Sequence, residues 1–251
     1  MSVQYLQRPG YRLAYRRVEG CGPTVVWLGG FRSDMIGEKA MAVAAWAEGA
    51  GCACVRFDYF GHGESEGRFE DGTIGRWRED ALAVIDALTE GPLVLVGSSM
   101  GGWIAGLVAL ARPGRVKAMV LIAPAADFTF ALMEPEMPAE ARAEMAATGV
   151  WLRPSEYGDP YPITRALIEE GRVWTILPPS DHEHIPIEVP VRILHGALDP
   201  DVPWTHGLRL AEALATPDVV FTLIKDGDHR LSRPQDIARL VATVAEVCRR
   251  S

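Results

Sequence analysis

Along the chain, short runs of apolar and β-branched residues alternate with longer stretches in which apolar positions return every three to four residues. That alternation predicts a parallel sheet with helices on both faces, because parallel strands are buried on both sides and need crossover helices to join them. Strands are expected at 24–28, 52–58, 93–97, 116–122, 191–195 and 219–224, with 11–18 as an antiparallel edge strand or hairpin. Over 74–88, Ile74, Trp77, Ala81, Val84, Ile85 and Leu88 share one helical face, while Arg76, Glu79, Asp80 and Asp86 lie largely elsewhere. The last helix turns Ile237, Leu240, Val241, Val244 and Val247 inward and is expected to start after Ser232, whose spacing to Gln235 fits a capping box.

One gap breaks this rhythm. Between Ala123 and Val191 there are helical stretches but no run of core-strand type. The expectation is a cap inserted at about 125–188 over the carboxyl edge of the sheet, which is where open parallel sheets bind ligands. No repeat, low-complexity tract or long polar linker interrupts the chain, so residues 1–251 read as a single α/β domain carrying that insertion.

Composition narrows the class further. With 251 residues and 48% hydrophobic positions the chain can bury a large core. A net charge of −8 without a Lys/Arg cluster leaves no footprint for nucleic acid or for an anionic membrane. No segment reaches the roughly 18 uninterrupted apolar residues of a membrane span, and the opening MSVQYLQRPGYR lacks a secretory apolar run. A cytoplasmic location is therefore expected, with a small-molecule or acyl-protein substrate and an oligomeric state left open, a monomer included. Cys21, Cys52, Cys54 and Cys248 form no C-x-x-C pair and are expected to be reduced core thiols.

The chemistry begins where LVLV runs into Gly97-Ser98-Ser99-Met100-Gly101-Gly102 and then into an apolar helical stretch. This is G-x-S-x-G between strand and helix. A nucleophile on a sharp, strained turn needs small neighbours so that adjacent backbone can approach, and Gly97 and Gly101 supply them. Ser98 is the rival hydroxyl, but the pattern centres on Ser99. The amide of Met100 then lies at a helix N-terminus, where an unpaired N–H can meet a developing oxyanion. A second donor is expected from the turn Leu28-Gly29-Gly30-Phe31, through the amide of Phe31.

A serine needs a base, and His62, His182, His184, His195, His206 and His229 are available. His195 ends a strand and is expected to be buried, His206 falls in a helix, and His182 and His184 lie in a loop before a strand. His229, in the polar turn Asp226-Gly227-Asp228-His229 after the last strand, is the candidate base. For the orienting acid, Asp199 and Asp201 compete; Asp201 has an N-cap duty ahead of a helix with Pro203 in its first turn, which leaves Asp199 for the site. Asp58, in DYFGHGES, reads as a structural acceptor of backbone N–H groups. Neither Gly29-Gly30 nor Gly61-His62-Gly63 completes G-x-G-x-x-G, so no dinucleotide cofactor is expected. Asp181, His182, Glu183 and His184 read as a solvated loop, and no metal is expected.

Together these residues resemble the α/β-hydrolase superfamily over nearly the whole chain. The segments CACVRFDYFGHGESEG, TIGRWRED, VGSSMGGW, ILHGALDPDVPW and DHRLS are similar to the mitochondrial acyl-protein thioesterase branch of α/β-hydrolase-domain proteins, a branch associated with S-depalmitoylation and acyl-glucuronide deacylation. The resemblance implies an α/β-hydrolase fold, the triad Ser99, Asp199 and His229 in that order, and an oxyanion hole from Phe31 and Met100. The chain starts almost at its first strand, without an Arg-rich amphipathic leader, so the mitochondrial location is not carried over. The expected reaction is hydrolysis of carboxylic esters or thioesters without a cofactor. Aminopeptidase or carbon–carbon hydrolase chemistry on the same triad, and a non-catalytic binding module, are the alternatives. In the cap, Phe128, Phe130, Leu132, Met133, Met137, Met145, Trp151, Leu152, Trp174 and Ile176 could line an acyl pocket or form helix core; Phe128, Met133 and Trp151 are the candidate substrate contacts.

Overall fold

Strand β5 (Leu93–Ser98) shows how the sheet is buried: Leu93 and Leu95 face one helical layer, Val94 and Val96 the other, and all four are fully buried. The computed structural model describes residues 2–154, 160–180 and 182–250. Its main sheet has eight strands in the order β1 (Gln4–Arg8), β2 (Tyr11–Val18), β4 (Cys52–Phe57), β3 (Cys21–Leu28), β5, β6 (Val116–Ile122), β9 (Val191–Gly196) and β10 (Val219–Ile224). The pairings β1–β2 and β2–β4 are antiparallel, and the others are parallel. The mostly parallel sheet expected from the apolar runs is the one observed.

On one face α2 (Ile74–Leu88) and α3 (Met100–Ala111) press Trp77, Ile85, Trp103, Ile104 and Val108 onto Val26, Val55 and Leu95. On the other, α1 (Glu38–Ala50) and α8 (Pro234–Arg250) bring Ala40, Val43, Ala44, Leu240 and Val244 against Val25, Trp27, Val94 and Val120. Fully burying each such aliphatic side chain contributes about 1.5–3 kcal/mol. The turn between α7 (Trp204–Ala213) and β10 binds Ile185 and Ile187, because Ala215 and Thr216 donate backbone N–H groups to their carbonyls. Residues 185–187 thus run along the main body.

The chain between β6 and β9 contains a π-helical turn (Thr129–Met133), α4 (Glu134–Glu136), α5 (Ala139–Thr148), an antiparallel pair β7 (Val150–Arg153) and β8 (Tyr161–Thr164), and α6 (Arg165–Gly171). Buried Asp127, near its start, is joined to residues 175–177. That carboxylate accepts the Thr175 hydroxyl at 2.7 Å and the amides of Ile176 and Leu177 at 3.0 Å each.

Several expectations need correction. β1 is absent from the sequence reading because QYLQR is polar and largely exposed on both faces, so no apolar alternation marks it. β7 and β8 have four residues each, too few for periodicity to register. The capping box at Ser232 does not form. The helix starts at Pro234, whose missing N–H suits a first turn, and the Ser232 hydroxyl donates to the Arg230 carbonyl. Asp201 is not the N-cap of α7 either: Pro203 occupies that position, and among the described residues no side-chain cap bond forms there. All four cysteines are free, but only Cys54 is a core thiol; Cys21 is exposed, and Cys52 and Cys248 are half-buried.

Candidate active site

Ser99 stands between β5 and α3 with φ +55° and ψ −118°, a backbone conformation that L-residues rarely adopt. Close packing holds the strain in place. A Cβ on Gly97 would lie 2.4 Å from the Gly101 carbonyl oxygen, and one on Gly101 would lie 2.0 Å from the Leu28 oxygen. The Ser99 amide donates to the Ile122 carbonyl at 2.8 Å, and the Ser99 carbonyl accepts from Gly102 and Ala125. The side chain is left half-buried at the carboxyl end of the sheet.

His229 reaches that hydroxyl from the far end of the chain. Its Nε2 lies 3.1 Å from Ser99 Oγ, and its Nδ1 lies 2.7 Å from Asp199 Oδ2. The loops after β9 and β10 are joined by Ala197 N–H to Ile224 carbonyl and Leu198 N–H to Gly227 carbonyl bonds, 2.9 Å each, which set acid and imidazole side by side. Asp228 Oδ1 accepts the Leu231 amide, and Lys39 Nζ donates to the Arg230 carbonyl, so the His229 turn is held from both ends. Burial lowers the Lys39 ammonium to about 8. The Asp199 side chain is fully buried. Burial is the largest influence on that carboxyl and would raise it, but N–H groups from His195, His229 and Val202 hold it well below the usual carboxylate range. The sequence reading gave Asp199 no structural duty. In fact its Oδ1 closes the following turn by accepting the amides of Asp201 at 2.9 Å and Val202 at 2.8 Å.

Facing Ser99, Gly30 brings the β3–α1 turn near the hydroxyl: its ideal Cβ position is 3.5 Å from Ser99 Cβ. Among the described residues no acceptor engages the amide of Phe31 or of Met100. The turn is braced by His62, which accepts the Arg32 amide on Nε2 at 3.2 Å and donates from Nδ1 to the Phe60 carbonyl at 3.1 Å. Burial lowers this imidazole to about 4, so the acceptor lone pair is available at neutral pH. Asp58 has the supporting duty expected of it, taking the Met35 amide at 2.6 Å and the Glu64 amide at 2.8 Å; burial raises it to about 6.

A cavity of about 560 Å³ opens onto Ser99 and His229. Phe31, Phe128, Leu132, Met133 and Tyr161 give it an aromatic and apolar wall, while Lys39, Arg32, Arg153 and Glu136 make other parts polar. Of the three candidate substrate contacts, Phe128 and Met133 line it. Trp151 does not: it is buried in the core opposite Ile163. Tyr161 and Arg153 escaped notice because the short strands carrying them left no pattern. Ser98 also touches the cavity but makes no bond to the imidazole.

Asp199, Asp201 and His229 have ligand-type atoms within 4.8 Å of one another. A cation there would compete for the Asp199 lone pairs that hold the imidazole and the turn. His182, Glu183 and His184 are exposed and form no metal-type group among the described residues, and Asp181 lies outside them. No described helix is long and apolar enough to cross a membrane.

The arrangement can take a proton from a hydroxyl, stabilise the resulting imidazolium and receive an oxyanion, and known proteins repeat its framework. Residues 25–240 match the model of the alpha/beta hydrolase family. The human protein named palmitoyl-protein thioesterase ABHD10, mitochondrial, is 39% identical over 249 residues, covering 98% of this chain and 80% of its own. The solved structure of alpha/beta hydrolase domain-containing protein 10 from mouse has a TM-score of 0.89 at 37% identity, covering 100% of this chain and 99% of that one. A solved structure from Agrobacterium vitis S4 reaches a TM-score of 0.92 at 44% identity over 98% of each chain. Sheet order, serine turn and full-length similarity agree: this chain belongs to the alpha/beta hydrolase family.

Proposed function

We propose that this chain is a serine hydrolase that cleaves carboxylic esters and thioesters, long-chain acyl thioesters among them, through an acyl-enzyme. The observation that carries this reading is the continuous relay from Ser99 Oγ through the His229 ring to the buried Asp199 carboxylate, set at the floor of a partly apolar cavity. Ser99 Oγ attacks the acyl carbonyl carbon as its proton passes to His229 Nε2, and Asp199 stabilises the imidazolium at Nδ1. The amides of Phe31 and Met100 donate to the oxyanion. Collapse of the tetrahedral species returns the Nε2 proton to the departing thiolate or alkoxide, and water repeats the cycle on the acyl-serine.

Phe31, Phe128, Leu132, Met133 and Tyr161 supply the wall for the acyl chain, and flexible methionine side chains suit chains of varied shape. The relatives named as palmitoyl-protein thioesterases favour a thioester leaving group on an acyl-protein. Their names also say mitochondrial. For this chain we propose a reducing compartment, the cytoplasm, which suits four free thiols; enrichment in a membrane-bounded organelle on fractionation would refute this.

A fluorophosphonate probe tests the activated serine directly: the native protein is labelled and Ser99→Ala is not. Nitrophenyl esters and acyl thioesters are turned over while amino-acyl anilides are not. Labelling that persists in Ser99→Ala, or preference for anilides, overturns the reading.

A further inference from the structure

We propose that His195, a histidine outside the Ser99–His229 relay, is a positioning residue for its acid. The proposal rests on the acyl-transfer reading above and concerns how Asp199 is aimed.

His195 is fully buried at the end of β9. Its Nε2 faces two oxygens, the Val202 carbonyl at 2.9 Å and Asp199 Oδ2 at 3.4 Å. A lone pair directed at two oxygens would be repelled by both, so Nε2 carries the ring proton and is shared between them. Nδ1 fits this assignment: it is buried without a hydrogen-bond partner and packs against α7, where a Cβ on Gly207 would lie 2.4 Å away. The ring lies parallel to Phe221, with centroids 6.0 Å apart and planes inclined by 22°. These contacts fix the ring, and with it the direction of the N–H.

The consequence falls on Asp199. Its Oδ1 is held by two backbone amides, whereas Oδ2 has His229 as its close donor at 2.7 Å and His195 as a second at 3.4 Å. The same His195 N–H holds Val202, whose amide binds Oδ1. His195 therefore restrains both the carboxylate plane and the turn carrying it, which keeps Oδ2 aimed at His229 Nδ1 while the imidazole gains and loses its proton. Without the donor the carboxylate can rotate, and a small misalignment in a proton relay is costly.

The test separates aiming from packing. His195→Phe keeps a ring stacked on Phe221 and removes the N–H, whereas His195→Gln keeps an N–H donor. The expected result for His195→Phe is a native-like melting curve, unchanged KM for a nitrophenyl ester and kcat lowered about tenfold or more; His195→Gln recovers most of the loss. In the native protein, ¹⁵N spectra should give His195 a protonated Nε2 and a bare Nδ1, with the Nε2–H signal moving in Asp199→Asn. A His195→Phe kcat within about twofold of native, or a proton on Nδ1 instead of Nε2, overturns the proposal. Should His195→Phe fail to fold, the ¹⁵N result decides. Loss of turnover in Ser99→Ala beside a fully active His195→Phe would refute only this inference, whereas turnover surviving in Ser99→Ala would refute the reading on which it rests.

Discussion

His229 and His62 are imidazoles with opposite requirements: under the proposed mechanism His229 must accept and release a proton, whereas His62 must stay unprotonated to accept the Arg32 amide. Replacing His229 with alanine removes the proposed base from a loop position whose side chain is only 16% exposed but lines the cavity and lies outside the apolar core. The expected outcome is kcat lowered by roughly a thousandfold or more with little change in melting temperature, measured by ester hydrolysis beside thermal unfolding. Native turnover would place the base elsewhere. His62 is a stability prediction. Its folded value of about 4 lies below the ordinary 6.5, so as pH falls from 6.5 to 4 the unfolded chain binds a proton that the native chain refuses. The associated stability is intact above pH 6.5 and diminishes down to pH 4, by about 3 kcal/mol as an order of magnitude. Asp58 acts in the opposite sense, because its folded value of about 6 exceeds the ordinary 3.8 and the native state gains its proton first. Denaturant titrations of the native protein and His62→Gln across pH 4.5 to 7.5 isolate the histidine: the native protein should lose stability relative to the variant as pH falls. Parallel curves would refute the assignment. At this scale Ser99, Asp199 and His229 were legible because each sits in a short motif at a strand end. The donor role of His195 was not, since sequence marks it as buried but cannot say which oxygens its nitrogen meets.

At the level of elements, the turn between β5 and α3 depends on glycine at 101 for space. Gly101→Ala would drive a methyl group into the Leu28 carbonyl, so β3 and the serine turn must separate. The variant should be destabilised by about 1–3 kcal/mol or more and lose fluorophosphonate labelling. Gly49→Ala is the matched control: that site in α1 has open space around the added carbon, and alanine there should be neutral or stabilising by up to about 1 kcal/mol. Equal effects at the two positions would refute the steric account. The buried strands were readable because both faces are apolar, and α2 was readable to its last residue because Ile74 through Leu88 keep one apolar face. Helix starts were less legible. Ser232 and Asp201 have capping side chains, but the neighbouring Pro234 and Pro203 set where each helix begins, and backbone geometry overrode side-chain preference.

Across the whole molecule, the sheet supplies the relay and the chain between β6 and β9 supplies much of the cavity wall. That division predicts substrate preference. Against nitrophenyl esters from C2 to C16, kcat/KM should rise with chain length before levelling, and Met133→Glu should depress the long esters far more than the short ones. Equal rates at every length, or activity confined to C2, would contradict an acyl-chain wall. The sequence reading expected an insertion here from the absence of core strands; Phe128 and Met133 line the cavity, whereas Trp151 is buried opposite Ile163 across the hairpin. Asp127 gives the insertion a further property. One carboxylate brings residue 127 within hydrogen-bond reach of residues 175 to 177, nearly fifty positions on, and the same stretch is fastened to the helices beneath it where the Gly75 amide donates to Glu170 and the Trp103 indole donates to the Trp174 carbonyl. A stretch grafted between Asp127 and Thr175 should therefore seat on this body only if it keeps those fastenings, and a graft that keeps them should change which acyl chains are accepted.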